Sequence, residues 1–92
     1  MQPATMKLDE GARPTREQLL TMFRTTATEV VEKDFHHVQE STVITELAID
    51  SLGMLEIIGS LERQLRIQIP DESLTGLQTV RDLLDVVQKR QS

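Results

Sequence analysis

The chain has 92 residues and a formal charge of -5, from 15 acidic against 10 Lys and Arg side chains; this makes one small domain, burying roughly 60% of its unfolded surface and too small for a deep substrate cleft. Hydrophobic residues at 38% exclude a disordered chain, while the net acidity and 2% aromatic content argue against nucleic acid, whose affinity draws on phosphate neutralisation and base stacking, and in favour of basic partner surfaces. Cysteine is absent, which removes disulfides, Cys-ligated zinc and thiol nucleophiles.

No internal repeat is visible. Residues 1–14 combine Pro, Gly and scattered charge without apolar periodicity and read as a flexible N-terminal tail to a helical domain over 15–90. Neither a charged-then-apolar leader nor an apolar run of membrane-spanning length is present, so the expectation is a cytoplasmic protein that engages no membrane. Thr15-x-x-Gln18 has capping-box spacing, and Glu17 suits the positive end of a helix dipole. The stripe of Leu19, Leu20, Met22, Phe23, Thr26, Ala27, Val30 and Val31 then predicts a core-facing helix to about Lys33.

Phe35 to Asp50 reads as a long loop pinned by Phe35, Val38, Val43 and Leu47. The β-branched run Thr42 to Thr45 is compatible with a short strand, but an isolated strand has nothing to pair with. Structureless connections of this length are usually functional or disordered.

A second helix is predicted from Asp50 or Ser51, both good caps, to about Leu65, with Met54, Ile57, Ile58, Leu61 and Leu65 inward. Gly53 and Gly59 cost it about 1 kcal/mol each relative to alanine. Ile67 to Pro70 is extended, because the residue before proline avoids helical geometry. Asp71 to Leu77 suggests one short helical turn broken at Gly76. Thr79-x-x-Asp82 caps the last helix, whose core face is Val80, Leu83, Leu84 and Val87 and whose negative end carries Lys89 and Arg90. The expected fold is all-α, a four-helix bundle of three long helices and one short one, with a long loop between the first two.

At 3.6 residues per turn, Leu52, Glu56, Gly59 and Arg63 lie opposite the core stripe of the second helix. Leu52 therefore points to water beside Ser51, at a helix start whose free amides and dipole favour an anion. A phosphate ester on Ser51, flanked by Asp50 and Leu52, would stand in suitable electrostatics.

At these residues the chain resembles the acyl carrier proteins. Leu47-Ala48-Ile49-Asp50-Ser51-Leu52 contains the attachment triplet Asp-Ser-Leu, and Leu55-Glu56, Leu61-Glu62, Ile67-Gln68-Ile69-Pro70-Asp71-Glu72 and Thr79-Val80-Arg81-Asp82-Leu83 follow in the family's register. The triplet alone is common; the register, running from about Thr15 to Arg90, is distinctive. The resemblance implies that Ser51 is esterified with 4'-phosphopantetheine by a phosphopantetheinyl transferase, which uses coenzyme A, with Asp50 and Leu52 as flanking recognition residues. It also implies that the arm's thiol carries acyl groups as thioesters, a thiol that a chain without cysteine has to import. No catalysis is implied: the chain presents its tethered group to loading and processing enzymes such as an acyltransferase or ketosynthase, as a monomer. Leu52, Leu55, Glu56, Gly59, Glu62 and Arg63 form the implied partner face.

Two departures from the family pattern stand out. Ala48 occupies a position that is often glycine, and Gly53 one where fatty-acid carriers often have an acid. With Arg63 and Arg66 beside Glu56 and Glu62, the face is less uniformly acidic than in a housekeeping fatty-acid carrier, and charge patterning selects partners. The expectation is a dedicated pathway, polyketide or related secondary-metabolite assembly, served by a discrete carrier; a domain excised from a longer synthase reads the same.

Other readings of these residues exist. One is a peptidyl or aminoacyl carrier; another is a helical interaction module with unmodified Ser51. A serine hydrolase pairing Ser51 with His36 or His37 lacks the Gly-x-Ser-x-Gly elbow and room for an oxyanion hole. His36 and His37, although near Glu32 and Asp34, are adjacent, a poor spacing for joint metal ligation, and read as solvated loop residues. A small cavity beside Ile57, Ile58 and Leu61 is the expected place for sequestered cargo.

Overall fold

The structure is a computed structural model that describes residues 14–91; of the predicted tail, residues 1–13 lie outside the described part. Three α-helices stand in chain order: α1 (Arg16–Val31), α2 (Ser51–Leu65) and α3 (Val80–Arg90). Two single 3-10 turns, Ile44–Leu47 and Asp71–Leu74, lie in the connections. The turn at 71–74 stands where a short fourth helix was expected. Pro70 before it and the left-handed Gly76 (φ 82) after it leave five residues between them, of which Thr75 is already extended.

The predicted helix starts hold in detail. In the Thr15 and Thr79 capping boxes, each hydroxyl accepts the N–H three residues on, while Gln18 and Asp82 accept the cap residue's own N–H. α1 ends two residues earlier than its stripe suggested, because Glu32 turns left-handed (φ 63). Its buried face is Leu19, Phe23, Thr26 and Ala27. Ile57, Ile58 and Leu61 from α2 and Val80, Leu83, Leu84 and Val87 from α3 meet it in one core. Thr26 is admitted there with a partner, as Gln64 Nε2 donates to its hydroxyl at 3.1 Å.

The long first connection is tied down by backbone as well as side chains. Phe35, Val38 and Leu47 are buried as expected, but Val43 is exposed and Ile44 packs against the core in its place. Val43 also has a partner: it forms an antiparallel bridge with Thr79, in which Ile44 N–H donates to Gln78 O (2.8 Å) and Val80 N–H to Thr42 O (3.0 Å). The loop is thereby fixed to the start of α3. Arg16 fastens the same end of the molecule, reaching Glu40 in the loop and Asp85, Gln88 and the Arg81 carbonyl on α3.

Candidate functional site

Ser51 is the first residue of α2 and is exposed. Three local devices hold it there. Asp50 caps the helix, its Oδ1 accepting Gly53 N–H at 2.7 Å, and the Asp50 carbonyl accepts Met54 N–H at 2.9 Å. The amides of Ser51 and Leu52, being in the first turn, have no intrahelical carbonyl and face the same end of the dipole. One step upstream, Ala48 turns left-handed (φ 56, ψ 37) to close the 3-10 turn and aim the chain into the cap. Gly53 is more than a tolerated helical glycine. A Cβ there would stand 3.0 Å from Asp50 Oδ1 and 3.1 Å from Ile49 Cγ2, against the cap itself. The spacing Asp50-x-x-Gly53 was the only sequence signal for it.

Leu52 and Leu55 are 65% and 57% exposed, while Met54 between them is half-buried at the core edge. Glu56 and Arg63 are exposed on the same helix and Gly59 is half-buried beside the Arg63 side chain. Glu62, half-buried, has one carboxylate oxygen engaged: it accepts Ile69 N–H at 2.7 Å and holds the extended link after α2. Sequence pattern alone could not show that engagement. At the C-terminal end, Gly59, Glu62, Arg63, Arg66, Ile67 and Gln68 border a surface hollow of about 480 Å³. Another hollow, of about 300 Å³, lies between the last turn of α1 and the first of α2, bordered by Val30, Val31, Ile49, Asp50, Leu52 and Glu56. Ile57, Ile58 and Leu61, expected beside a cavity, are packed to 5% exposure or less.

His36 is engaged within its own loop: Asp34 accepts its backbone N–H at 2.9 Å and contacts its ring Nδ1. These contacts, the backbone N–H first, hold the Asp34 carboxyl below the ordinary carboxylate range. Among the described residues, no group of three or more His, Cys, Asp or Glu side chains is placed to hold a metal ion, and no helix is long and apolar enough to cross a membrane.

The arrangement offers an accessible hydroxyl at a capped helix start. The chain matches the phosphopantetheine attachment site family over residues 18–87. A solved acyl carrier protein from Thermotoga maritima superposes with a TM-score of 0.75 at 31% identity, covering 82% of this chain and 88% of that one. This chain belongs to the acyl carrier protein family. The family's cofactor is 4'-phosphopantetheine, covalently held, and the exposed Ser51 hydroxyl on a frame of first-turn amides fits such a group.

The chain is also 44% identical over 48 residues to an acyl carrier protein of Clostridium perfringens, a stretch covering 52% of this chain and 63% of that one. It is 44% identical over 50 residues to a meromycolate extension acyl carrier protein of Mycobacterium leprae, covering 54% and 44%. The matched stretch thus spans less than two thirds of the length of either relative.

Proposed function

We propose that Ser51 is the attachment serine and that the chain carries acyl groups between the enzymes of a biosynthetic pathway without catalysing their chemistry. The observation that carries this reading is an exposed serine at the first position of α2, in the family's triplet, with Asp50 committed to the cap and Leu52 left in solvent. In the loading step, Ser51 Oγ bonds to the phosphorus that bears the pantetheine half of coenzyme A. The pyrophosphate bond breaks, the nucleotide half leaves, and the serine proton passes to a base on the transferase. Once attached, the arm supplies the thiol to which acyl groups are joined.

The protein's own part is positional. First-turn amides favour the phosphodiester, and the rigid cap fixes where the tether begins. A tethered group reaches each enzyme at an effective concentration set by arm length rather than by new contacts. Leu52, Leu55, Glu56 and Arg63, with Gly59 between them, supply the docking face, and residues 15–90 act as the folded unit. A face that mixes Glu56 with Arg63 and Arg66 suits a dedicated set of cytoplasmic enzymes, of the polyketide or secondary-metabolite kind, over the purely basic surfaces that an acidic helix selects.

Incubation with coenzyme A, magnesium and a permissive phosphopantetheinyl transferase, followed by intact mass measurement, tests the reading. The parent gains one phosphopantetheine and Ser51→Ala gains none; a parent that gains nothing from any transferase overturns it.

A further inference from the structure

α2 carries opposite charges at its two ends. Asp50 and Glu56 are exposed at its start, and Arg63 and Arg66 are exposed at its finish. Both arginines border the hollow of about 480 Å³ at that end. Gly59 leaves the space above it open, the nearest atom to a Cβ there being an Arg63 terminal nitrogen at 3.6 Å. A third guanidinium joins from α3, where Arg90 Nε donates to the carbonyl of Gln68, another residue of the border, at 3.0 Å. Among the described residues none of these three arginines is ion-paired; the pairs formed involve Arg16, Arg81 and His36. The carboxylate on the border, Glu62, is engaged by Ile69 N–H, and Asp71 and Glu72 beyond Pro70 lie off the border. A chain of net charge -5 thus gathers three arginines about one hollow.

We propose that this hollow receives an acidic segment of a partner enzyme, whose side-chain carboxylates pair with Arg63 and Arg66. The inference deepens the carrier reading and rests on it for the partner being a pathway enzyme. Charge complementarity names the occupant, because a guanidinium presents forked N–H donors that match a carboxylate. Nucleic acid is the poorer match, since the chain's net negative charge opposes an extended run of phosphates. At 1.5 Å of rise per residue, Arg63 lies about 10 Å along the helix from Glu56 and about 18 Å from Ser51. The first distance exceeds the Debye length of about 8 Å at physiological salt, so the two ends act as separate poles. A partner that meets Asp50 and Glu56 with basic groups therefore meets Arg63 and Arg66 with acidic ones, about 18 Å from where it receives the tether. The reversed orientation sets like charges against each other at both ends and is rejected.

Titration of the unloaded, nitrogen-15-labelled chain with a hexaglutamate peptide at low ionic strength tests the seat without depending on Ser51. The Nε–H signals of Arg63 and Arg66 and the Gln68 amide should shift progressively, and added salt should reverse the shifts. In the double variant Arg63→Gln with Arg66→Gln, the Gln68 shift should vanish. Hexalysine at the same concentration should leave all three signals in place. Signals that ignore hexaglutamate, that move equally with hexalysine, or that move equally at Gln68 in the double variant overturn the inference. So does inorganic phosphate that reproduces the full shift, which would mark a seat for free anions. A chain that gains phosphopantetheine but ignores hexaglutamate loses this inference alone; one that binds hexaglutamate but never gains mass keeps the acidic-segment seat and loses the carrier reading.

Discussion

Ala48 holds a backbone state that costs an L-residue about 1–2 kcal/mol and that glycine enters freely. Ala48→Gly should therefore stabilise the chain. The gain is roughly 0.5 kcal/mol once glycine's larger unfolded-state entropy is set against the relief, and it is read as a higher urea midpoint; a lower midpoint would show that the turn is unstrained with alanine. Asp82 makes a second residue-scale prediction. The amides of Gln78 and then Thr79 donate to its carboxylate and hold its pKa below the ordinary value. A depressed folded pKa contributes stability that is in place above the unfolded value of about 3.9 and is lost as pH falls through the folded one. Asp82→Asn should thus be less stable than the parent at neutral pH, with the gap narrowing below about pH 4 in urea titrations; a gap independent of pH would refute the assignment. The importance of Asp82 could be read from Thr79-x-x-Asp82, because a capping box is wholly local. The left-handed state of Ala48 could not: residue type gives only a preference, and the turn closing behind it decides.

At the scale of the element, α2 divides its work by face. Ile57, Ile58 and Leu61 are in the core, whereas Leu52 and Leu55 spend their apolar surface on solvent. Leu52→Ser and Leu55→Ser should leave the unfolding free energy within about 0.5 kcal/mol of the parent's. If these residues anchor partners, kcat/KM for phosphopantetheine transfer should fall about tenfold, or roughly 1.4 kcal/mol. Unchanged transfer would remove them from the docking face. The helical period was enough to place Leu52 outward, whereas Leu55 joined the face through the family resemblance. Glu62 escaped that logic: on the flank of α2, it bonds Ile69 N–H in a link that follows the helix. The short element at 71–77 was over-read for a related reason. Local propensity allows a turn there, but five residues between Pro70 and the left-handed break cannot propagate one into a helix.

Across the whole molecule, the features hidden from the sequence are those that join distant segments: the Val43–Thr79 bridge and the reach of Arg16 to Glu40 and Asp85. Nothing within a window of a few residues marks such pairs. The apolar stripes, in contrast, name ten of the fourteen buried hydrophobic residues, because residues at helical spacing share the inward face of their own helix. Phe23 is central to that core and fully buried. Phe23→Ala should cost about 3–5 kcal/mol, a large share of a small domain's stability, and appear as loss of cooperative thermal unfolding; a small shift in midpoint would mean that the helices repack without it. The carrier function depends on where the arm is attached. Trypsin releases residues 34–63 of the loaded chain as one peptide, which contains Ser41, Ser51 and Ser60. Tandem mass spectrometry of that peptide should place the whole phosphopantetheine mass on Ser51, and finding it on Ser41, Ser60 or another peptide would contradict the account.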